Sequence, residues 1–161
     1  MKVNRIFNTL LNDGIGRGTA ITYIDAQQTK NGKGMKEVHF NEVIEKVKEL
    51  NQKTIVLDGN LMQNNEIRDV LVGLSRIGKK VVFRTTGEDS IEPARVTKNI
   101  RFVLVMAIPD KEQNHINSRN IPMMLEGDEI RFIVENYAQY ASARDYILSR
   151  TITRPTIEYM Y

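Results

Sequence analysis

The chain has 161 residues, 41% of them hydrophobic and 27% charged, which is enough apolar material for the core of one ordinary domain. There is no cysteine, which excludes disulfides, thiolate nucleophiles, zinc–thiolate sites and iron–sulfur clusters held by this chain. The formal charge is only +3, with lysine and arginine spread along the chain, so a solvated surface is expected rather than a nucleic-acid face.

Residues 1–19 read as irregular or as an edge strand. "AITYID" (20–25) is apolar and β-branched, a strand pattern. Residues 26–38 are polar, glycine-rich and aperiodic, hence a loop. In "FNEVIEKVKELN" the period changes: Val43, Ile44, Val47 and Leu50 share a helical face, with Asn41 as the expected N-cap. "TIVLD" (54–58) is a short continuous apolar strand, the kind buried on both faces of a parallel sheet. Ile67, Val70, Leu71, Leu74 and Ile77 follow at helical spacing, and Gly78 stands where a helix-closing glycine belongs. "KVVFRT" (80–85) completes a βαβ unit, so the two strands should be parallel.

Residues 92–98 are expected to form a short helix and "RFVLVMA" (101–107) a strand. The polar stretch 108–128 reads as a long loop, "EIRFIV" (129–134) as a strand. Residues 136–150 read as a helix capped by Asn136, with Tyr137, Tyr140, Ala141, Ala143, Ile147 and Leu148 on its apolar arc. A tail from about residue 150 ends in aromatics. The expected whole is one α/β domain over residues 1–161, built on a parallel sheet or partial (βα) barrel of about five or six strands. No apolar run is long enough to span a bilayer and no leader pattern opens the chain, so a cytoplasmic protein is expected.

Ligands of such sheets sit beyond the carboxyl ends of the strands. Here those ends supply a candidate pocket of Asp25, Asp58, Gly59, Asn60, Arg84 and Thr86. The bland reading of Asp58-Gly59-Asn60 is a tight strand-to-helix turn. Gly14, Gly16 and Gly18 have the spacing of a phosphate loop but precede a strand, not a helix. His39 and His115 read as surface residues, and Tyr137, Tyr140 and Tyr146 as core rather than a base-stacking platform. No catalytic set or metal motif can be argued from spacing.

The order of motifs resembles radical S-adenosylmethionine (radical SAM) enzymes of the 7-carboxy-7-deazaguanine synthase type. "RIFNTLLNDGIGRGTAITYID" resembles their opening strand and glycine-rich stretch, and "TIVLDGNLMQ" their "ITGGEPLLQ" cofactor segment. "LVGLSRIGKKVVFRTTGE" resembles the helix and "ETNGT" strand that follow, and "GDEIRFIVENYAQYASARDYI" the late "DEIKFVV" strand and its helix. The activating enzymes of anaerobic ribonucleotide reductase share the first half of this order. The resemblance covers roughly residues 5–148 and implies a partial-barrel fold.

It also implies three cysteines spaced C-x3-C-x2-C after the first main strand, holding a 4Fe–4S cluster. This chain has "DAQQTKNGKG" there, with Gln27, Gln28, Lys30 and Lys33, and amides and ammonium groups do not replace thiolates. Asn60 stands where the family has an acid, and Arg84 where it has Glu; Arg131 matches a Lys. The expectation is therefore a pseudoenzyme without catalytic residues, cofactor or metal, acting by binding another protein as inhibitor, decoy or adaptor, of the kind a phage or mobile element encodes. Its contact regions would be loop 26–36, loop 108–128 and the tail. Small-molecule binding in the old pocket, for a nucleotide, purine-like or adenosylated ligand, and nucleic-acid binding are the alternatives.

Overall fold

A computed structural model describes residues 1–14, 16–27, 35–107, 120–150 and 155–159. In chain order the elements are β1 (Lys2–Val3), β2 (Arg5–Leu10), β3 (Ala20–Asp25), β4 (Lys36–Glu37), α1 (Phe40–Leu50), β5 (Thr54–Asp58), α2 (Ile67–Arg76), β6 (Lys80–Thr85), β7 (Ile100–Ala107), β8 (Glu129–Val134), α3 (Tyr137–Arg150) and β9 (Pro155–Tyr159). Seven strands form one sheet in the order β2-β3-β5-β6-β7-β8-β9. Six of them run parallel, and β2 pairs antiparallel to β3 at one edge. Each parallel strand lies beside the next in sequence. Right-handed crossovers of that order keep every helix on one face and curve the other into an open, partial barrel.

Alternation along the strands sorts the side chains between the two faces. The helical face takes Ile24, Leu57, Phe83, Phe102, Leu104 and Phe132, which pack with Val43 and Val47 of α1 and Val70, Leu71 and Leu74 of α2. Each such buried side chain contributes about 1.5–3 kcal/mol. The concave face carries a separate, smaller apolar cluster: Leu11, Ile21, Val56, Val82 and Val103.

The mixed α/β architecture, the β5–α2–β6 unit and the bounds of β3, β5, β6 and β8 agree with the sequence reading. Gly78 has φ of 74°, and Lys79 N–H donates back to Leu74 O, closing α2 as expected. Asn136 Oδ1 accepts from Gln139 N–H at 2.9 Å, capping α3.

Five expectations need correction. The N-cap of α1 is His39, whose Nδ1 accepts from Asn41 N–H, because the chain turns helical one residue before Asn41. The helix expected over 92–98 is one 3-10 turn, Glu92–Ala94. The loop expected over 26–38 ends in β4, which pairs with β1. The C-terminal tail contributes β9, whose backbone pairs with β8 and extends the sheet. Tyr137 and Leu148 lie off the packed face of α3, at 75% and 72% exposure. The parts of the expected loops at 28–34 and 108–119, with His115, lie outside the described residues.

Gly59 leaves β5 with φ of 152°, and a Cβ there would sit 2.6 Å from Ala26 O. Backbone strain alone makes Gly59→Ala cost about 1–3 kcal/mol. Denaturant unfolding should show that loss as a lower midpoint with an unchanged slope.

Candidate functional site

The concave face is charged where a buried sheet is normally apolar. Strand register sets Asp25 beside Asp58, Asp58 beside Arg84, and Val103 beside Glu129. Two residues on, Arg131 shares the face of Glu129. Each of these stands on the concave side because the strand period is two. Arg131 is 2% exposed and Glu129 fully buried, with Arg131 Nη2 donating to Glu129 Oε1 at 3.2 Å.

The segment between β2 and β3 crosses this face as a strap. Leu11 plugs into the small apolar cluster. Asp13 then reaches both guanidinium groups, with Oδ2 at 2.7 Å from Arg131 Nη1 and 3.4 Å from Arg84 Nη1. Gly14 follows, with φ of 64°, seated so closely on the Glu129–Arg131 pair that a Cβ would collide with Arg131 Nη2. The strap is held by its own hydrogen bonds, Leu11 N to Thr19 O at 2.8 Å and Gly18 N to Leu11 O at 2.7 Å. Gly14 therefore serves close approach to an ion pair, and no helix N-terminus follows it to bind phosphate.

Asp58 is 6% exposed and engaged twice. It accepts a short hydrogen bond from the Tyr23 hydroxyl, and Oδ2 lies 3.6 Å from Arg84 Nε. Burial, then the hydrogen bond to Asp58 and its negative charge, push the Tyr23 phenol well above the usual tyrosine range. Three carboxylates (Asp13, Asp58, Glu129) thus face two guanidiniums (Arg84, Arg131), and Tyr23 supplies a neutral donor.

Of the six expected pocket residues, Asp25, Asp58 and Arg84 form one row on the concave face. Gly59 N–H is spent on Arg84 O at 3.0 Å. Asn60 Oδ1 accepts from Thr85 Oγ1, Thr86 N and Thr86 Oγ1 at 2.9–3.0 Å, so Asn60 and Thr86 tie the end of β5 to the end of β6. An open cavity of about 440 Å³ remains beside β2 and β3, lined by Asp13, Tyr23, Asp25 and Arg84. Asp13, Tyr23 and Glu129 were missed from the sequence. The signal for Glu129 was present: a carboxylate and a guanidinium two apart in a strand that is otherwise apolar.

Removing one partner from a buried ion network strands the other charge, at about 3–5 kcal/mol. Arg131→Ala should lose that much in urea unfolding, and the paired replacement Glu129→Leu with Arg131→Met should recover most of it. Tyr23 gives a second test. Its folded pKa is raised, so its contribution is full below about pH 10, where unfolded tyrosine begins to ionise, and fades as pH rises further. Ultraviolet titration should reveal one late-ionising tyrosine, absent in Tyr23→Phe, and the alkaline loss of stability should be shallower in that variant.

No family model matches the chain, and no curated protein matches it in sequence. Among solved structures, the crystal structure of QueE from Escherichia coli superposes with a TM-score of 0.71 at 12% identity, covering 98% of this chain and 81% of that one. The radical-SAM cluster and its adenosyl cofactor do not fit the residues present. There is no thiolate for iron, the concave face presents two guanidiniums, and the carboxylate and amide at Asp58 and Asn60 are already bonded within the chain. The fold is shared while the donor set is not: this chain has the α/β architecture of QueE, a radical-SAM 7-carboxy-7-deazaguanine synthase.

Proposed function

We propose that the chain is a non-catalytic, radical-SAM-like scaffold that acts by binding another protein, as an inhibitor, decoy or adaptor. The observation that carries this reading is the strap: Asp13 bridges Arg84 and Arg131 across the concave face where the fold would work on a substrate. A face whose charges are paired mainly with one another leaves the outer surface to do the work. Exposed Tyr137 and Leu148 on α3, and Leu10 at the end of the edge strand β2, are apolar groups available there. Loop 26–36 and loop 108–128 remain contact candidates, as does the C-terminal segment.

A second reading is favoured by one specific feature. Asp13 Oδ1 is buried and takes no hydrogen bond among the described residues, next to the 440 Å³ cavity. That is an acceptor in search of a donor, suited to a small ligand bearing N–H or O–H groups.

Native mass spectrometry of the tagged chain, gently purified from its own host, tests both. A second polypeptide at fixed stoichiometry is expected. A few hundred daltons of added mass, with a ligand-dependent thermal shift lost in Arg84→Ala, would favour the pocket instead. A 4Fe–4S cluster after anaerobic purification, or cleavage of S-adenosylmethionine, would overturn the non-catalytic reading altogether.

A further inference from the structure

The concave face has two ends, and the cluster of Leu11, Ile21, Val56, Val82 and Val103 separates them. The charged row and the strap's Asp13 occupy the carboxyl end. At the opposite end, where β5, β6 and β7 begin, lies a cleft of about 880 Å³, within the range that holds small organic ligands. It shares only Leu11 with the smaller cavity.

Its walls combine two chemistries. Leu11, Val82 and Ile100 give it an apolar lining, and exposed Leu125, in the loop before β8, adds to the rim. Four cations line it, Lys80, Arg95, Lys98 and Arg101, against two carboxylates, Glu126 and Asp128, leaving an excess of two positive charges. Arg95 is already committed, pairing with Asp128 and lying over the Phe102 ring at 4.7 Å. Asp128 is equally committed, accepting from Phe102 N–H and Leu125 N–H at 2.8 Å. Lys80 and Lys98 are different. Both are exposed and neither has a carboxylate partner among the described residues. Lys80 opens β6 on the same face as Val82 and Arg84, so its stem starts from the concave side.

We infer that this cleft binds a small organic anion, a carboxylate or similar acid carrying an aliphatic or aromatic body. The body would replace water against Leu11, Val82 and Ile100, and the acid group would be met by Lys80 and Lys98. Lysine suits this role: a long flexible stem lets the ammonium follow the ligand's charge while its methylenes cover the apolar body. The inference stands apart from the cavity beside Asp13, whose charged residues it does not use, and its lysines lie outside the loops named above as contact regions for a protein partner, although residues 125–128 of the rim belong to one of them.

The test is amide NMR of the full chain titrated with hexanoate and with hexylammonium, which share a body and differ in charge. Hexanoate is expected to shift the amides of residues 80–82, 97–101 and 125–128 saturably, and hexylammonium to leave them unmoved. Reversing both rim charges, Lys80→Glu with Lys98→Glu, should weaken hexanoate by about tenfold or more. Because both lysines are exposed, that variant should melt within a few degrees of the parent. If it does not, Lys80→Gln with Lys98→Gln serves the same comparison. Equal binding of the two probes, shifts centred on Tyr23 and Asp25, no saturable shift, or unchanged affinity in the charge variants would each overturn the assignment.

Discussion

Arg131 lies on the concave side of β8 at 2% exposure, and a guanidinium does not give up its proton to suit its surroundings. A charge so placed must be paired and hydrogen-bonded, or the fold loses several kcal/mol. Much of the local structure follows. Glu129 stands on the same face of the same strand, Asp13 is brought in from the far side of the sheet, and Gly14 gives up its side chain so that the backbone can lie against the pair. Arg84 joins through Asp13 and Asp58, and Tyr23 settles the remaining negative charge without adding another. One buried cation thus dictates residues in β3, β5, β6, β8 and the strap.

Such an arrangement is poor evidence for stability as such, since a well-packed apolar face of the same volume does as well. It is a means of holding one geometry. The network fastens a loop that the sheet's own hydrogen bonds do not reach. It divides the concave face into a polar end, a short apolar plug and a basic, partly apolar cleft, each with its own chemistry. The likeness to QueE takes in 98% of this chain and 81% of that one. What differs is the set of groups facing inward.

The strands and helices were legible because their periods are clean. "TIVLD", "KVVFRT" and "EIRFIV" end where the structure ends them, because turns follow each at once. The α2 stop was legible because a glycine with positive φ has few other uses after a helix. The pocket row Asp25, Asp58 and Arg84 was legible from strand ends alone. Asp13 was not, because nothing local says that an aspartate in a glycine-rich loop will meet an arginine over a hundred positions later. Nothing in "AITYID" singles out Tyr23, and only strand pairing places its hydroxyl on Asp58. β9 was missed because Pro155 and mixed polarity disguise an edge strand, where one face of the ladder has no partner to satisfy. His39 was read as a surface residue and is exposed; the part not legible was that its ring nitrogen caps α1.

The order of the strands has a kinetic side. Each parallel strand pairs with the one that follows it, so the sheet can grow by short closures between neighbours in the chain. The contact of Asp13 with Arg131 is of the other kind, joining the first turn of the sequence to the last part of the sheet. Arg84 of β6 offers Asp13 a first partner, and the second pairing waits until β8 has docked. The same asymmetry holds in the native state. The strap can lift without any strand leaving its ladder, which makes it a natural unit of partial opening, with its free energy set by the ion pairs of Asp13, the apolar seat of Leu11 and the loop's own hydrogen bonds. Uncovering this face asks one carboxylate to release two arginines and one leucine to leave its seat in the same movement.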